Sequence, residues 1–305
     1  MIYYKNDLGT LYNGDCFEML DLIEDKSQQA IIIDPPYNIG KDHWDTIDNY
    51  YEWLGNIIAK LEKKLKDNGS FIIFHNDFRM LAKIDLEVQA KTKFVLNNFM
   101  VWNKRFEGSK KKGFLDGYIV KEQLSVFNKM AEYFLFYVFD NTWKIRVKRD
   151  ELKIPQNVIG QEIKSKTGGF TGWFSNIETG RNYPTEETMK PITKHLGLTF
   201  DDIVPKFRNQ KTDHSIMNYD IEKKQGHVTP KPVKLLENLI LHLTDENDSI
   251  LDCFAGSGSL GVAAEKLKRK FVLIEKEKEY CDIIVKRLSD DTEEDKLDEN
   301  LDTIE

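Results

Sequence analysis

The chain has few cysteines, and no pattern joins them to one another or to a metal. Cys16, Cys253 and Cys281 lie far apart without a CxxC pair, which argues against a disulfide framework and against a zinc site. The six histidines show no HExxH or similar cluster. The sequence therefore predicts chemistry that uses no metal ion.

Long apolar runs are also missing. No stretch approaches the roughly 20 residues that cross a bilayer, and the first residues, MIYYKNDLGT, lack the apolar segment of a signal peptide. We therefore expect a cytoplasmic protein with no membrane partner. The 305 residues, of which 40% are hydrophobic, suffice for one large domain or for one domain with a sizeable insertion.

The net charge of −7 is distributed unevenly along the chain. Residues 101–234 carry 24 Lys and Arg against 16 Asp and Glu, a net charge of +8, and the remainder carries −15. Residues 290–305 alone contain nine acids and one lysine, a composition typical of a disordered tail. A basic segment on an acidic body fits a nucleic-acid surface, and it equally fits chance combined with an acidic tail.

Apolar stretches with the length of strands alternate with helical patterns. Several of them, such as AIIID and FIIFH, are continuous apolar runs, which are typical of strands covered on both faces. This order predicts an α/β fold with a doubly wound, largely parallel sheet of seven strands and with ligands at the carboxyl ends. The predicted strands are Gly9–Gly14, Gln29–Asp34, Ser70–His75, Phe94–Trp102, Tyr133–Phe139, Ser249–Phe254 and Lys270–Glu275. The predicted helices are Tyr50–Lys66, Phe78–Ala90, Pro232–Leu243, Leu260–Leu267 and Lys278–Leu288.

The strand pattern stops between about Arg146 and Gln225. This stretch is polar and basic with short helical patterns, so we interpret it as an inserted lobe. The predicted organisation is a catalytic part over residues 1–145, the lobe over 146–225, a second part of the main domain over 226–288 and a disordered acidic tail over 289–305.

The first motif that indicates chemistry is DPPY at the end of an apolar strand. Pro35 and Pro36 cannot donate backbone hydrogen bonds, and Pro36 holds Pro35 extended. The Asp34 carboxylate and the Pro35 carbonyl could therefore accept two hydrogen bonds from one planar NH2 group, while Tyr37 stacks on the ring that carries it. An ordinary turn after a strand is the alternative, but the strand before and the tyrosine after favour the functional interpretation.

The second motif is a glycine loop, DCFAGSGS, between a strand and a helix. Glu275 ends the next strand, 19 residues after Gly256, which is near the spacing of about 20 residues expected for an acid that binds ribose hydroxyls. The string from Gly256 to Gly261 also fits GxGxxG. An NAD-dependent oxidoreductase therefore stays open on this motif, as does a glycine turn that only packs a helix on a strand.

Together, the two motifs resemble those of the DNA amino-methyltransferases, with DPPY as the catalytic loop and DCFAGSGS as the FxGxG cofactor loop. Because the catalytic motif comes first, the order is similar to that of the circularly permuted beta group. The resemblance covers about residues 8–145 and 226–288. It implies a seven-stranded Rossmann-like methyltransferase sheet, S-adenosyl-L-methionine as cofactor, base flipping and direct methyl transfer.

The resemblance also implies roles for individual residues. Asp34, Pro35, Pro36 and Tyr37 would form the catalytic loop. Lys231 and Pro232 end the segment HVTPKP, which is similar to the family's HPTQKP but departs from it at two positions. The residues implied to bind the cofactor are Asp15, Cys16, Asp34, Lys231, Pro232, Asp252, Phe254, Gly256, Ser257, Gly258, Ser259 and Glu275. Cytosine-C5 methylation is not expected, because none of the three cysteines follows a proline.

The lobe contains a pattern similar to a helix-turn-helix, a motif that places its second helix in the major groove. A generic helical lobe is the alternative, and a solvated loop is the alternative for the run of three lysines. The residues predicted to contact DNA are Lys104, Arg105, Lys110, Lys111, Lys112, Thr171, Ser175 and Asn176.

The sequence thus predicts site-specific methylation of N6 of adenine in DNA, in a restriction–modification or phage setting. Methylation of N4 of cytosine is the runner-up, although that subgroup more often has serine at the position of Asp34. A non-catalytic DNA-binding regulator would explain the lobe but would need neither pocket motif. DNA is the expected partner, and a homodimer and a cognate restriction endonuclease are partners compatible with this prediction.

Overall fold

A mixed sheet of nine strands forms the centre of the protein. The computed structural model describes residues 1–40, 45–109, 130–163, 172–208, 213–222 and 230–301, with side chains up to Ser289. The strands are β1 (Ile2–Lys5), β2 (Gly9–Asn13), β3 (Gln28–Ile33), β4 (Leu65–His75), β5 (Phe94–Asn103), β6 (Ala131–Phe139), β7 (Ile216–Asn218), β8 (Ser249–Asp252) and β9 (Lys270–Glu275). Their order is β1-β2-β9-β8-β3-β4-β6-β5-β7.

All seven predicted strands are present, but the predicted strand number is wrong. The two additional strands, β1 and β7, have four and three residues and lie at opposite edges of the sheet. Runs as short as these are too brief to show a two-residue alternation of apolar side chains. β7 also lies within residues 146–225, where the sequence pattern predicted no strand.

The strand directions bring distant parts of the chain to one edge. Strands β2, β9, β8, β3 and β4 are parallel, and β6 is antiparallel to both β4 and β5. The start of β6 therefore lies beside the end of β4, where Tyr133 pairs with His75, and beside the end of β5, where Glu132 pairs with Trp102. We call this the carboxyl edge, and the opposite one the amino edge.

Helices cover both faces of the sheet. In β3, alternate side chains point to opposite faces, so Ile31 and Ile33 pack in one core and Ile32 in the other. Helices α1 (Cys16–Met19), α2 (Tyr50–Lys64) and α3 (Phe78–Lys91) contribute to the first core, and α9 (Val233–Leu243), α10 (Ser259–Lys266) and α11 (Lys278–Leu301) contribute to the second. No helix in the described ranges is long and apolar enough to cross a membrane.

The last helix is longer than the sequence pattern predicted. We expected a helix that ends at Leu288 and a disordered tail from residue 289, whereas α11 continues to Leu301. Residues 289–301 contain neither glycine nor proline, so no residue there acts as a helix terminator.

The inserted lobe has a hydrophobic core of its own. It begins three residues before the predicted start at Arg146 and contains α4 (Trp143–Glu151), α5 (Gln156–Gly160), α6 (Trp173–Glu178), α7 (Glu186–Leu196) and α8 (Phe200–Ile203). Ile145, Phe174 and Ile192, from three of these helices, are at most 2% exposed and pack in one cluster. The buried Glu178 carboxylate accepts a hydrogen bond from Arg149 Nε at 2.7 Å, which ties α6 to α4.

The lobe is attached to the amino edge of the sheet. Lys144 Nζ lies 3.1 Å from the Asp67 carboxylate, and the Lys206 amide donates to the Asn68 carbonyl at 2.8 Å. Lys206 Nζ also pairs with Asp248 at 2.8 Å, immediately before β8 begins. These attachments lie at the opposite end of the strands from the ends where ligands bind in sheets of this kind.

Candidate active site

A cavity of about 330 Å³ opens at the carboxyl edge of the sheet. Its walls come from segments that follow β2, β3, β8 and β9 and from the segment before α9. The predicted site residues that line it are Asp15, Cys16, Asp34, Pro35, Pro36, Tyr37, Lys231, Asp252, Phe254, Gly256, Ser257, Ser259 and Glu275. Within the described residues, no group of three or more His, Cys, Asp or Glu could hold a metal ion.

The DPPY segment is held in place by two residues that sequence motifs did not identify. Tyr50, at the start of α2, donates its hydroxyl to the Pro36 carbonyl at 2.7 Å. Asp45 is 1% exposed, and its carboxylate accepts the backbone amides of Asn38 at 2.6 Å and Ile39 at 3.1 Å. These bonds fix the chain that leaves β3, so the cavity wall is preorganised.

The side chains of DPPY bond to one another and to a lysine. The Tyr37 hydroxyl donates to Asp34 Oδ1 at 2.7 Å, and Lys231 Nζ donates to Asp34 Oδ2. Lys231 Nζ also donates to the Tyr37 hydroxyl oxygen at 3.0 Å. Both oxygens of Asp34 therefore already have a donor, one neutral and one cationic.

Glu132, at the second position of β6, is a further member of this network that sequence reasoning missed. Its side chain is 12% exposed, and it lies 2.5 Å from Lys104 Nζ and 3.4 Å from Lys231 Nζ. Burial alone would raise the pKa of its carboxyl, but the ammonium groups of Lys231 and Lys104 outweigh burial and lower the pKa to about 2. Burial would lower the pKa of Lys231, yet Asp34 and Glu132 raise it, so the ion pairs persist at neutral pH.

The placement of Lys104 differs from the prediction of a phosphate contact. Its side chain is 12% exposed, it pairs with Glu132, and its ammonium lies 4.4 Å from the centre of the Trp102 ring. Lys104 is thus part of the buried network, because β5 ends beside the start of β6. Arg105 is half-buried, and on α6 of the lobe Ser175 is exposed and Asn176 half-buried. Lys110, Lys111, Lys112 and Thr171 lie outside the described residues.

His75, the last residue of β4, packs directly against Tyr37. It is fully buried, and the centres of the two rings are 4.5 Å apart. Its Nδ1 accepts the Asp77 amide at 3.0 Å, and burial lowers the pKa of the imidazole to about 4. The ring is therefore neutral at physiological pH, and it supports Tyr37 without adding charge.

The glycine loop and the ends of β8 and β9 form the other end of the cavity. Glu275 accepts the amides of Gly256 at 2.7 Å and Glu277 at 2.8 Å, which positions its carboxylate beside the loop. Burial raises the pKa of Glu275 to about 7 and that of Asp252 to about 8. Arg287, which no motif identified, donates to the Ser257 carbonyl at 2.8 Å and so anchors the loop to α11.

Two residues predicted to bind a cofactor do not line the cavity. Gly258 adopts a φ of +76°, and a Cβ there would lie 2.9 Å from Ile284 Cγ1 of α11. Glycine is therefore required at position 258 by the left-handed backbone and by the packing of α11. Pro232 is the N-cap residue of α9, next to Lys231 and outside the cavity wall. Asp15 does line the cavity, and its carboxylate caps α1 by accepting the Phe17 amide at 2.9 Å.

Comparison with known proteins finds one family over most of the chain. A family model described as DNA methylase matches residues 28–286. The Type II methyltransferase M1.MboII of Moraxella bovis is 27% identical over 286 residues, which cover 90% of this chain and 94% of that protein. The DNA adenine methyltransferase YhdJ of Escherichia coli strain K12 is 28% identical over 290 residues, which cover 93% of this chain and 84% of that protein.

Solved structures have the same fold. The PvuII DNA methyltransferase, described as cytosine-N4-specific, aligns with a TM-score of 0.63 at 16% identity and covers 94% of this chain and 88% of its own. The structure of M1.HpyAVI in complex with SAM aligns with a TM-score of 0.55 at 21% identity and covers 92% of this chain and 100% of its own. These likenesses confirm the α/β architecture.

Proposed function

Because this chain belongs to the DNA methylase family, which comprises N6-adenine and N4-cytosine methyltransferases, we propose that it transfers a methyl group from S-adenosyl-L-methionine to N6 of adenine at a specific DNA sequence. The observation that carries this proposal is the cavity shared by two sets of residues. One end is formed by the DPPY loop with a carboxylate that can accept amino hydrogens. The other end is formed by the glycine loop and Glu275.

The charges around the cavity fit a sulfonium cofactor. Six carboxyl groups line the cavity, against the two ammonium groups of Lys231 and Lys276; the carboxyl groups are those of Asp15, Asp34, Asp45, Asp252, Glu275 and Glu277. Trp53 and Phe254 provide aromatic surface, with ring centres 5.8 Å apart, against which an adenine can pack. When bound, S-adenosyl-L-methionine supplies a methyl group that is activated by the positive sulfur. Glu275 is the residue that would accept its ribose hydroxyls.

At the DPPY end, the residues act on the target amino group. An amino group inside a duplex cannot reach this cavity, so the base must be flipped out of the stack. Asp34 and the Pro35 carbonyl would accept its two hydrogens, which favours a tetrahedral nitrogen with a localised lone pair aimed at the methyl group. Tyr37 would stack on the base. The hydrogen bonds from the amino group to Asp34 strengthen as the nitrogen becomes tetrahedral, and they therefore lower the barrier to the chemical step.

Adenine is proposed over cytosine because the carboxylate of Asp34 stands first in the DPPY motif, where N4-cytosine enzymes more often have serine. The relative YhdJ is named a DNA adenine methyltransferase, which agrees with this choice. Several relatives are named Type II methyltransferases, so a restriction–modification setting with a cognate endonuclease is part of the proposal, as is a homodimer.

Sequencing of modified bases tests the function directly. DNA from a methylation-deficient host that expresses the protein is expected to carry N6-methyladenine at one short sequence, and DNA from the host alone is not. N4-methylcytosine at that sequence would retain the family and overturn the choice of base. DNA without any modified base would contradict the proposed activity.

We further propose that the lobe contributes to recognition of the target sequence. Its α6 helix exposes Ser175, although the lobe is attached to the amino edge. From Ser70 to His75, β4 spans about 17 Å, which equals about five base pairs of duplex. A duplex with its flipped base in the cavity would have to run along the strands for about this length to reach the attachment of the lobe at the amino edge.

The affinity for S-adenosyl-L-methionine is expected to rise with pH. The Glu275 carboxyl has a pKa of about 7, so below pH 7 it is mostly protonated in the free protein. A ribose hydroxyl and a sulfonium favour the ionised form, so binding releases a proton, and affinity rises about tenfold between pH 6 and pH 8. The raised pKa of Asp252 acts in the same direction, because its ionised form also attracts the cation.

Calorimetry at three pH values checks this expectation. Glu275→Gln is expected to flatten the dependence on pH, and Glu279→Gln, at an exposed position of α11, is expected to leave it unchanged. An affinity that falls between pH 6 and pH 8 would be incompatible with this role of Glu275.

A further inference from the structure

We propose that Glu132 is a positioning residue that takes over the Tyr37 hydroxyl and the Lys231 ammonium when a target amino group bonds to Asp34. This inference rests on the proposed function, since it concerns how Asp34 becomes available to the base. Glu132 acts through its two neighbours and does not itself touch the reacting atoms.

The need for such a residue follows from the bonds of Asp34. Tyr37 donates to one of its oxygens at 2.7 Å, and Lys231 donates to the other. Each carboxylate oxygen can accept a further hydrogen bond, but a target amino group shares Asp34 with both donors, and the cationic one is the stronger competitor because charge-assisted hydrogen bonds are roughly twice as strong as neutral ones. Without a second acceptor, the buried Tyr37 hydroxyl would lose its acceptor and the buried Lys231 ammonium would keep only the neutral Tyr37 oxygen, and both losses are costly.

Glu132 lies where a second acceptor is needed. Its Oε2 is 3.3 Å from the Tyr37 hydroxyl oxygen and 3.4 Å from Lys231 Nζ, so both donors are already shared between Asp34 and Glu132. A shift of about half an ångström would bring either distance to that of an ordinary hydrogen bond. The exchange therefore needs a movement of side-chain ends only.

The other oxygen of Glu132 is anchored. Lys104 Nζ donates to Oε1 at 2.5 Å, and Lys104 itself packs over the Trp102 ring. The pKa of about 2 keeps Glu132 ionised throughout the neutral range. Glu132 is thus a fixed anion, and the mobile members of the network are Tyr37 and Lys231.

The charges balance in both arrangements. With Asp34 bonded to Lys231, two carboxylates face two ammonium groups, those of Lys231 and Lys104. When Asp34 turns to a neutral amino group, Lys231 keeps an anionic partner in Glu132. A buried cation is therefore never left without a counter-charge, a condition that strongly destabilises the folded state.

The test is a comparison of Glu132→Gln with wild type in single-turnover methylation at saturating cofactor and DNA. The amide is a weaker acceptor and carries no charge, so Tyr37 and Lys231 stay on Asp34. The rate is expected to fall about tenfold or more, while the dissociation constants of S-adenosyl-L-methionine and DNA change less than twofold. Asp85→Asn is the matched control, because Asp85 accepts the Tyr137 hydroxyl at 2.8 Å in another tyrosine–carboxylate pair, outside the cavity wall.

A double-mutant cycle separates repositioning from a general structural effect. In a Tyr37→Phe background there is no hydroxyl that could change its acceptor from Asp34 to Glu132. Glu132→Gln is therefore expected to reduce the rate by a smaller factor than in the wild type. Lys104→Gln, which leaves Glu132 in place but releases its anchor, provides a second variant if Glu132→Gln fails to fold. It is expected to slow the same step, again by less in the Tyr37→Phe background.

A wild-type methylation rate in Glu132→Gln would overturn the proposal. An equal loss of rate from Glu132→Gln in the wild-type and Tyr37→Phe backgrounds would also overturn it. If Glu132→Gln does not fold, a wild-type rate in Lys104→Gln or an equal loss from that change in both backgrounds has the same consequence. A wild-type protein that methylates no amino group would instead contradict the proposed function.

Discussion

Replacing Asp34 with alanine is expected to slow single-turnover methylation by about 10²–10³-fold, equivalent to about 2.7–4 kcal/mol. This is the effect typical of removing one preorganised hydrogen bond at a site of developing charge. The loss of rate falls on the chemical step, because the carboxylate accepts its strongest hydrogen bonds from an amino group whose nitrogen is becoming tetrahedral. Cofactor affinity is expected to change much less, since Glu275 and the glycine loop remain.

The fold is expected to survive this change. Lys231, which loses Asp34 as a partner, still lies 3.4 Å from the ionised Glu132. Thermal unfolding and cofactor titration of Asp34→Ala therefore serve as controls for the rate measurement. A folded Asp34→Ala protein that binds its ligands and methylates at the wild-type rate would show that the carboxylate has no part in the chemistry.

Replacing Gly258 with alanine is expected to be among the most destabilising single changes in the chain. The left-handed backbone costs any residue with a Cβ about 1–2 kcal/mol. The new methyl group would also meet the fully buried side chain of Ile284, which would have to shift within the core. Overpacking of this kind adds about 1–3 kcal/mol.

Gly197→Ala is the matched control, measured with Gly258→Ala by urea denaturation. Gly197 has a similar φ of +70°, but nothing lies within 4 Å of its added Cβ, so only the backbone term applies. Ile284→Ala combined with Gly258→Ala is expected to be less destabilised than the sum of the two single changes, since the smaller side chain makes room. Equal losses of unfolding free energy in Gly258→Ala and Gly197→Ala would show that the contact between residue 258 and α11 is unimportant.

The sequence predicted those parts of the fold that depend on residues close together along the chain. The long apolar runs predicted seven strands because buried strands such as β3 need apolar side chains on both faces. β1 and β7 were missed because edge strands of three or four residues show no alternation. The DPPY and glycine loops were found because their backbones require proline and glycine at fixed spacings. The match to the DNA methylase family also removes the oxidoreductase, which explained the glycine loop alone.

The residues that the sequence did not predict depend on contacts between distant segments. Glu132 contacts Lys104 and Lys231 only because β6 is antiparallel to both neighbours. The residues next to Glu132 in the sequence do not indicate these partners. For the same reason the sequence predicts a phosphate contact at Lys104 and a cofactor contact at Gly258, whereas Lys104 pairs with Glu132 and a Cβ at Gly258 would meet Ile284.

The separate core of the lobe and its attachment to the amino edge also affect how such a protein can diverge. Substitutions within the lobe core, such as at Ile159 or Ile177, change contacts with neighbouring core residues of the lobe, none of which lines the cavity. Natural selection can therefore remodel the lobe while the methyl-transfer machinery stays under its own constraints. Among descendants of one ancestral enzyme, lobes are expected to vary in sequence faster than the residues along the carboxyl edge.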